Sequence, residues 1–274
     1  MNRVLYYSSI ILLFFAGVIA CRKPSADVRD PDKLRISRIQ RISPAINTVF
    51  VTDFIYDDQQ RVDKISASSG NIKDGNLITN YVNSVKYYYN GTNKNPYKAS
   101  GAFDVTSNLD VFYTYNKDGI LIKDSAIGPG LPSIRVRDYT YATDKLIVKN
   151  SQYPGIDSFL IKNNNITEIV YGVGDGTPSN LYFQLSYDNK INPLSKLNIA
   201  SVKIVEGLNG FFTGPLAPGF CRNNITDFSA GGISLQGEHV QTSTESYSHT
   251  YTKEGLPETC TTTYYTYKYS YEAF

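Results

Sequence analysis

The sequence predicts an all-β protein, an antiparallel meander of about eight repeated hairpins that forms one strongly twisted, curled sheet. Three observations predict it. The chain holds 23 Tyr and 13 Phe with no Trp and a single Met, and aromatic and β-branched side chains suit half-buried pleated surfaces. Alternation is plain near the end: Tyr265, Tyr267, Tyr269 and Tyr271 fall on one face of an extended segment, Thr266, Lys268 and Ser270 on the other. The third observation is a turn that recurs. In Tyr115-Asn-Lys-Asp-Gly-Ile-Leu-Ile-Lys123 an aromatic strand end meets a polar turn, with Asp118-Gly119 at its tip, and an apolar strand start. Gly supplies the positive φ such a turn needs, and Asp tolerates it.

Taken in order, the chain opens with Arg3 and an apolar run from Ile10 to Ile19, broken only by small residues. The run is too short to span a bilayer but suits a secretory signal. It ends in Val18-Ile19-Ala20-Cys21, which resembles a bacterial lipobox. Residues 1–20 are therefore expected to be a lipoprotein signal peptide, with Cys21 the lipidated mature N-terminus. A multiply acylated Cys would anchor the chain to a membrane without a transmembrane helix. Residues 21–32, polar and bounded by Pro24 and Pro31, read as a tether. Losing Arg3 leaves 26 basic residues against 25 acidic ones. That near-neutral balance gives no basis for nucleic-acid binding, which needs a basic surface.

Residues 33–274 are expected to form a single all-β hairpin-repeat domain, and Asp32 to Ile42 is the one stretch with a faint helical pattern. Variants of the turn begin at Tyr56, Tyr89, Tyr141, Ile161, Tyr187, Phe220 and Tyr251, and the intervals Tyr89–Tyr115, Tyr115–Tyr141 and Ile161–Tyr187 are each 26 residues. A single hairpin cannot bury a face alone, so neighbours must pair in order.

Turns of the form Tyr-Asp-x-x-Gly/Lys-hydrophobic are similar to YD (RHS-type) hairpin repeats. With Tyr187-Asp-Asn-Lys-Ile-Asn-Pro-Leu194, Asn223-Asn-Ile-Thr226 and Tyr251-Thr-Lys-Glu-Gly-Leu-Pro-Glu258 behind a lipobox, the chain from about Leu34 to Tyr271 resembles a family of Bacteroidota lipoproteins of unknown function, of the DUF4595-like kind. There are departures: Ile161 and Phe220 replace the leading Tyr, and the first turn reads one residue longer. The resemblance implies an address and an architecture, and no catalytic residues. Surface-exported lipoproteins of that group often carry acidic residues after the Cys. Here Arg22 and Lys23 follow it, which favours the periplasmic face of the outer membrane over the cell surface.

Few residues suggest chemistry. Cys221 and Cys260 either form a disulfide across about 40 residues or remain separate thiols; spacing alone does not decide. His239 and His249 lack a nucleophile elbow or a metal-ligand set around them, so they read as strand histidines. Many carboxylates sit in turns, where Asp is chosen for backbone reasons, and nothing selects the facing pair a glycosidase needs. No metal or cofactor motif is present; Gly172-Val-Gly-Asp-Gly-Thr-Pro178 lacks the lysine and spacing of a phosphate loop. The loop from Gly207 to Phe220 breaks the repeat rhythm and holds Phe211 and Phe212 between glycines and prolines. It is read either as an aromatic contact loop or as a plug over a sheet end.

These readings point to a non-catalytic binding or scaffolding module with a glycan or outer-membrane protein as partner. Candidate contacts are Phe211, Phe212, Tyr265, Tyr267 and Tyr269, because Tyr joins a flat apolar ring to a hydroxyl. The rivals are a hydrolase of envelope polysaccharide with a carboxylate pair, and a structural subunit of an outer-membrane complex.

Overall fold

The structure, a computed structural model, describes residues 30–73, 76–102, 108–129, 131, 133–172, 181–197, 199, 221–233 and 238–274. After a 3-10 turn at Pro31–Lys33 come seventeen strands: β1 (Leu34–Ser43), β2 (Thr48–Tyr56), β3 (Val62–Lys73), β4 (Asn76–Tyr88), β5 (Lys98–Ala102), β6 (Asn108–Tyr115), β7 (Leu121–Ile127), β8 (Arg135–Tyr141), β9 (Lys145–Asn150), β10 (Tyr153–Lys162), β11 (Asn165–Tyr171), β12 (Leu181–Ile191), β13 (Asn223–Ile233), β14 (His239–Ser246), β15 (Ser248–Tyr251), β16 (Pro257–Thr261) and β17 (Thr266–Ala273). The faint helical stretch is β1, which pairs on both sides.

Every pairing is antiparallel, and β1 also pairs with β17, from Leu34 opposite Ala273 to Ile42 opposite Thr266. The expected open, curled sheet is therefore a barrel. Closure removes the two long edges that a meander of this length would expose. β14 pairs with β13 and β15 with β16, and between them the Tyr247 N–H donates to the Thr226 carbonyl at 2.8 Å. β14 and β15 are thus successive parts of one stave, and the seventeen strands make sixteen staves.

The turn motifs gather at one rim. In three of them the hydrogen bonds repeat position by position. Asp57, Asn116 and Thr252 each donate their N–H to the carbonyl four residues on, and each accepts on its carbonyl from the N–H three residues on. Their side chains accept from the N–H two residues on. The residue that must go left-handed is Gln60 (φ 64°), Gly119 (φ 75°) or Gly255 (φ 80°). The first turn is not longer than the others: Gln60 holds the glycine place and Arg61 the place of Ile120. The Lys162–Asn165 turn instead has two residues at positive φ, Asn163 and Asn164, the two-residue form that Asn favours.

Four of the six leading tyrosines tie a stave to the one before. Their hydroxyls donate to backbone carbonyls: Tyr56 to Ile36 at 2.6 Å, Tyr89 to Val62 at 2.7 Å, Tyr115 to Pro96 at 2.9 Å and Tyr187 to Ile166 at 2.5 Å. Tyr271 does the same to Pro257 at 2.7 Å. Burial raises the pKa of all five hydroxyls. The repeat is therefore a lateral belt as well as a turn signal, which is why its spacing tracks the stave pairs.

The two faces of the wall differ sharply. Inward residues form one apolar cluster that includes Ile39, Phe54, Val85, Tyr87, Val111, Leu146, Ile166 and Tyr267. Outward residues carry the ion pairs Arg38–Asp53, Lys86–Asp63, Lys98–Asp110 and Lys123–Asp138. One pair is inside: Asp124, 1% exposed, accepts from both the Arg137 guanidinium, at 2.8 to 3.1 Å, and the Tyr139 hydroxyl. A sixteen-stave barrel can hold a wide lumen, but here the connection between β12 and β13 enters it. Its Leu194, Leu197, Ile199 and Cys221 belong to the core cluster, and Lys196 reaches Asp32 at 3.0 Å beside the start of β1. The motifs at Tyr187 and Phe220 are accordingly the exit and return of this one excursion, not two hairpins.

Candidate functional site

The wall is interrupted between β11 and β12. These strands pair only from Glu168 opposite Gln184 to Tyr171 opposite Leu181. Nearer the turn rim, Asn165–Thr167 and Leu185–Ile191 run without a ladder between them. Local chemistry opens the seam. The Asp188 carboxylate accepts from the N–H groups of Lys190 and Asn224, and it also takes the Asn224 amide and the Tyr251 hydroxyl. This folds the end of β12 onto itself and onto β13, where the register shifts at Tyr187.

Side chains replace the missing ladder. The Ile166 carbonyl takes the Tyr187 hydroxyl, and the Ile166 N–H donates to the Cys221 Sγ at 3.3 Å. Tyr187 Oη and Cys221 Sγ are themselves 3.2 Å apart. A buried strand residue cannot leave its backbone groups unpaired without cost, so these two side chains close the floor of the seam. On the rim side, the returning chain docks on β11: the Arg222 N–H donates to the Asn164 carbonyl at 3.0 Å. Asn165 and Asn223 then exchange two hydrogen bonds, at 2.9 and 3.0 Å.

The result is a cavity of about 570 Å³ in the wall, lined in part by Lys162, Asn163, Ser186, Asn189 and Arg222. That volume lies in the range of ordinary ligand pockets. Its polar residues divide into two groups. Asn165, Asn223 and Asp188 are spent on the frame just described. Lys162, Asn163, Ser186, Asn189 and Arg222 have no side-chain partner among the described residues and are exposed at the mouth. Asp188, the one acid among the described lining residues, faces four donors of its own. The cavity therefore offers two cations, two amides and a hydroxyl to whatever enters it.

Sequence reasoning missed this site because each of its residues reads as turn chemistry. A signal existed nonetheless. The two motifs that lack the leading Tyr, those at Ile161 and Phe220, belong to the segments that border the seam.

The residues singled out from sequence fall elsewhere. Tyr265, Tyr267 and Tyr269 share a face as expected, but that face is the inner one: the Tyr267 ring packs against Tyr265 at 6.2 Å between centroids and is 1% exposed. They fill the barrel, so the outer surface of β17 is Thr266, Lys268 and Ser270. Cys221 and Cys260 are both free and buried. Cys221 is held by Ile166 and Tyr187, whereas Cys260 lies opposite His249 and Tyr267 in the ladders of β16. Burial pushes the thiols up to about 11 and about 12 respectively, for Cys221 against the smaller opposing pull of Tyr187 and Ile166. His249 places Nε2 2.8 Å from the Ile225 carbonyl, and His239 packs on the Tyr182 ring. Cys21, Phe211 and Phe212 lie outside the described residues. Among those residues no group of three or more His, Cys, Asp or Glu could hold a metal ion, and no helix is long and apolar enough to cross a membrane.

Two solved structures share the architecture. A porin-like protein from Bacteroides uniformis ATCC 8492 superposes with a TM-score of 0.54 at 14% identity, covering 86% of this chain and 98% of that one. One from Bacteroides vulgatus ATCC 8482 gives 0.54 at 13% identity, with 88% and 99% covered. At this identity the likeness establishes the barrel fold alone. No family model and no curated protein matches the chain, so the resemblance to YD-repeat lipoproteins rests on its motifs.

Proposed function

We propose that the protein is a non-catalytic binding module, held at the outer membrane by lipid on Cys21, and that its barrel does not itself cross the bilayer. The observation that carries this reading is the polarity of the wall. A membrane-spanning barrel presents an apolar band to lipid and a polar lumen. Here the charges are outside and the apolar cluster inside. A Lys or Arg facing the middle of a bilayer would cost about 2–4 kcal/mol. Leu194, Leu197 and Ile199, between β12 and β13, also pack into the apolar cluster inside the wall, which speaks against a water-filled lumen there.

Binding is assigned to the β11–β12 seam, whose lining holds unspent polar groups and whose Asp188 carboxylate is engaged in the frame. A glycan or a protein segment could fill it. The hydrolase reading finds no second acid beside Asp188 among the described residues of that lining.

Fractionation tests the anchoring. The native protein should pellet with membranes, and Cys21→Ser should move to the soluble fraction with its fold intact. A Cys21→Ser protein that stays in the membrane until detergent is added would overturn the reading of a wall that faces water.

A further inference from the structure

We infer that the β11–β12 seam recognises a carboxylate-bearing saccharide, with Lys162 and Arg222 as its anion-binding pair. The inference rests on the seam being the binding site, and it names what binds. Three features of the cavity lead to it.

The first is charge. Lys162 pairs with Asn165 across the two-residue turn, and the Arg222 N–H docks on Asn164 inside that turn. The two cations thus flank one turn and line one cavity. Neither has a carboxylate partner among the described residues, although many other cations of the wall do, such as Arg38, Arg61, Lys98 and Lys123. The only acid among the described lining residues, Asp188, accepts from Lys190, Asn224 and Tyr251. A guanidinium presents a fork matched to two carboxylate oxygens, and an ammonium beside it adds a point charge.

The second is the balance of donors and acceptors. Asn163 and Asn189 each offer an NH2 and a carbonyl oxygen, and Ser186 a hydroxyl that does both. A sugar hydroxyl, donor and acceptor at once, satisfies such groups. Inorganic phosphate or sulfate, largely an acceptor, would leave the amide oxygens unmatched.

The third is build. The frame residues hold the cavity open through their hydrogen bonds, Asn165 with Asn223, Tyr187 with Ile166 and Cys221, and Asp188 with Lys190, Asn224 and Tyr251, so the five unspent groups are displayed from a fixed support. Pre-organisation of this kind lowers the cost of binding.

The test uses the purified full-length protein in detergent micelles, with trigalacturonate as probe and its fully methyl-esterified form as the uncharged control, by calorimetry. Trigalacturonate should bind at least 10-fold more tightly than the ester. Arg222→Ala and Lys162→Ala should each weaken it 5-fold or more, with unchanged urea midpoints because both side chains are exposed. Binding should also weaken several-fold between 50 and 500 mM salt, because exposed charges are screened. Equal affinity for acid and ester, lowered alike by Asn163→Ala or Asn189→Ala, would overturn the carboxylate assignment and leave the seam as a site for neutral glycan. Binding indifferent to all four substitutions would overturn the seam itself. No binding of either probe, or inorganic phosphate competing as well as trigalacturonate, would also overturn the assignment.

Discussion

Two sectors of the same wall solve the same problem in different ways. Between β6 and β8 the ladders are continuous, Asp110–Ile127 through Tyr115–Leu121 on one side and Lys123–Asp138 through Ala126–Arg135 on the other. The polar groups there meet one another inside: Asp124, Arg137 and Tyr139 form a closed set. Between β11 and β12 the ladder stops, and Tyr187 and Cys221 stand in for the missing ladder bonds of Ile166. The first arrangement spends its buried carboxylate on the fold. The second satisfies the backbone with side chains and leaves Lys162, Asn163, Ser186, Asn189 and Arg222 over. A binding surface arises here because hydrogen bonding within the wall is incomplete by one short stretch of ladder.

The contrast can be broken hardest in the closed sector. Asp124→Ala should destabilise the protein by about 3–5 kcal/mol, because it removes the carboxylate that faces the buried Arg137 guanidinium. Urea unfolding of the variant should show this, and a loss below about 1 kcal/mol would mean that water reaches the pair. In the seam the matching change is Tyr187→Phe, which removes the partner of the Ile166 carbonyl and one contact of Cys221. We expect a loss of about 1–3 kcal/mol. Tyr115→Phe, in the closed sector, should cost about 1 kcal/mol, since it breaks one hydrogen bond only. Equal losses would show that Cys221 needs no second partner.

The thiols sharpen the comparison through pH. The ordinary thiol value for both is 9.0, and the folded values are raised to about 11 for Cys221 and about 12 for Cys260. A raised value means that only the unfolded chain ionises as pH climbs past 9. The stability is therefore whole below about pH 8.5 and is lost progressively toward 11 and beyond. By pH 9.5–10 each thiol should account for about 1 kcal/mol of lost stability, a loss that Cys221→Ser should reduce. With the Cys21 thiol removed by Cys21→Ser, Ellman titration should find two thiols in the denatured chain and almost none in the native one. Two oxidised cysteines in denaturant would instead establish a disulfide.

The smallest expected effect lies in the turns. Gln60 occupies the left-handed place that Gly119 and Gly255 fill elsewhere. Left-handed backbone costs a non-glycine residue roughly 1–2 kcal/mol, offset in part by the entropy glycine loses on folding. Gln60→Gly should raise the urea midpoint by the equivalent of a few tenths to about 1 kcal/mol, and Gly119→Gln should lower it by a similar amount.

Much of the fold was legible locally. The turn residues and the alternation of Tyr265 to Tyr271 announced strands and hairpins, because turn geometry and pleat are set by neighbours in sequence. Local pattern could not say whether a meander closes. That rests on β1 meeting β17, a pairing of residues more than two hundred positions apart. Nor could alternation say which face is inside, so a row of tyrosines that packs the core read equally well as a contact surface.

The site was less legible than the fold, for a related reason. Asp188, Asn165 and Asn223 carry ordinary turn signals, and in isolation each would cap its own loop. Only when Arg222, thirty residues after Asn192, docks between Asn192 and Asn164 do they become the frame of a cavity.

The sequence by itself determined the strands, the tight turns, the recurring tyrosine and the near-neutral charge, all consequences of backbone sterics and short-range hydrogen bonding. Tertiary structure alone decided the closure of the barrel, the inward turn of the apolar face, the separation of Cys221 from Cys260 and the opening between β11 and β12. Those depend on which distant segments win a place beside one another, and that is settled by burying one continuous apolar face while leaving as few backbone groups as possible unpaired.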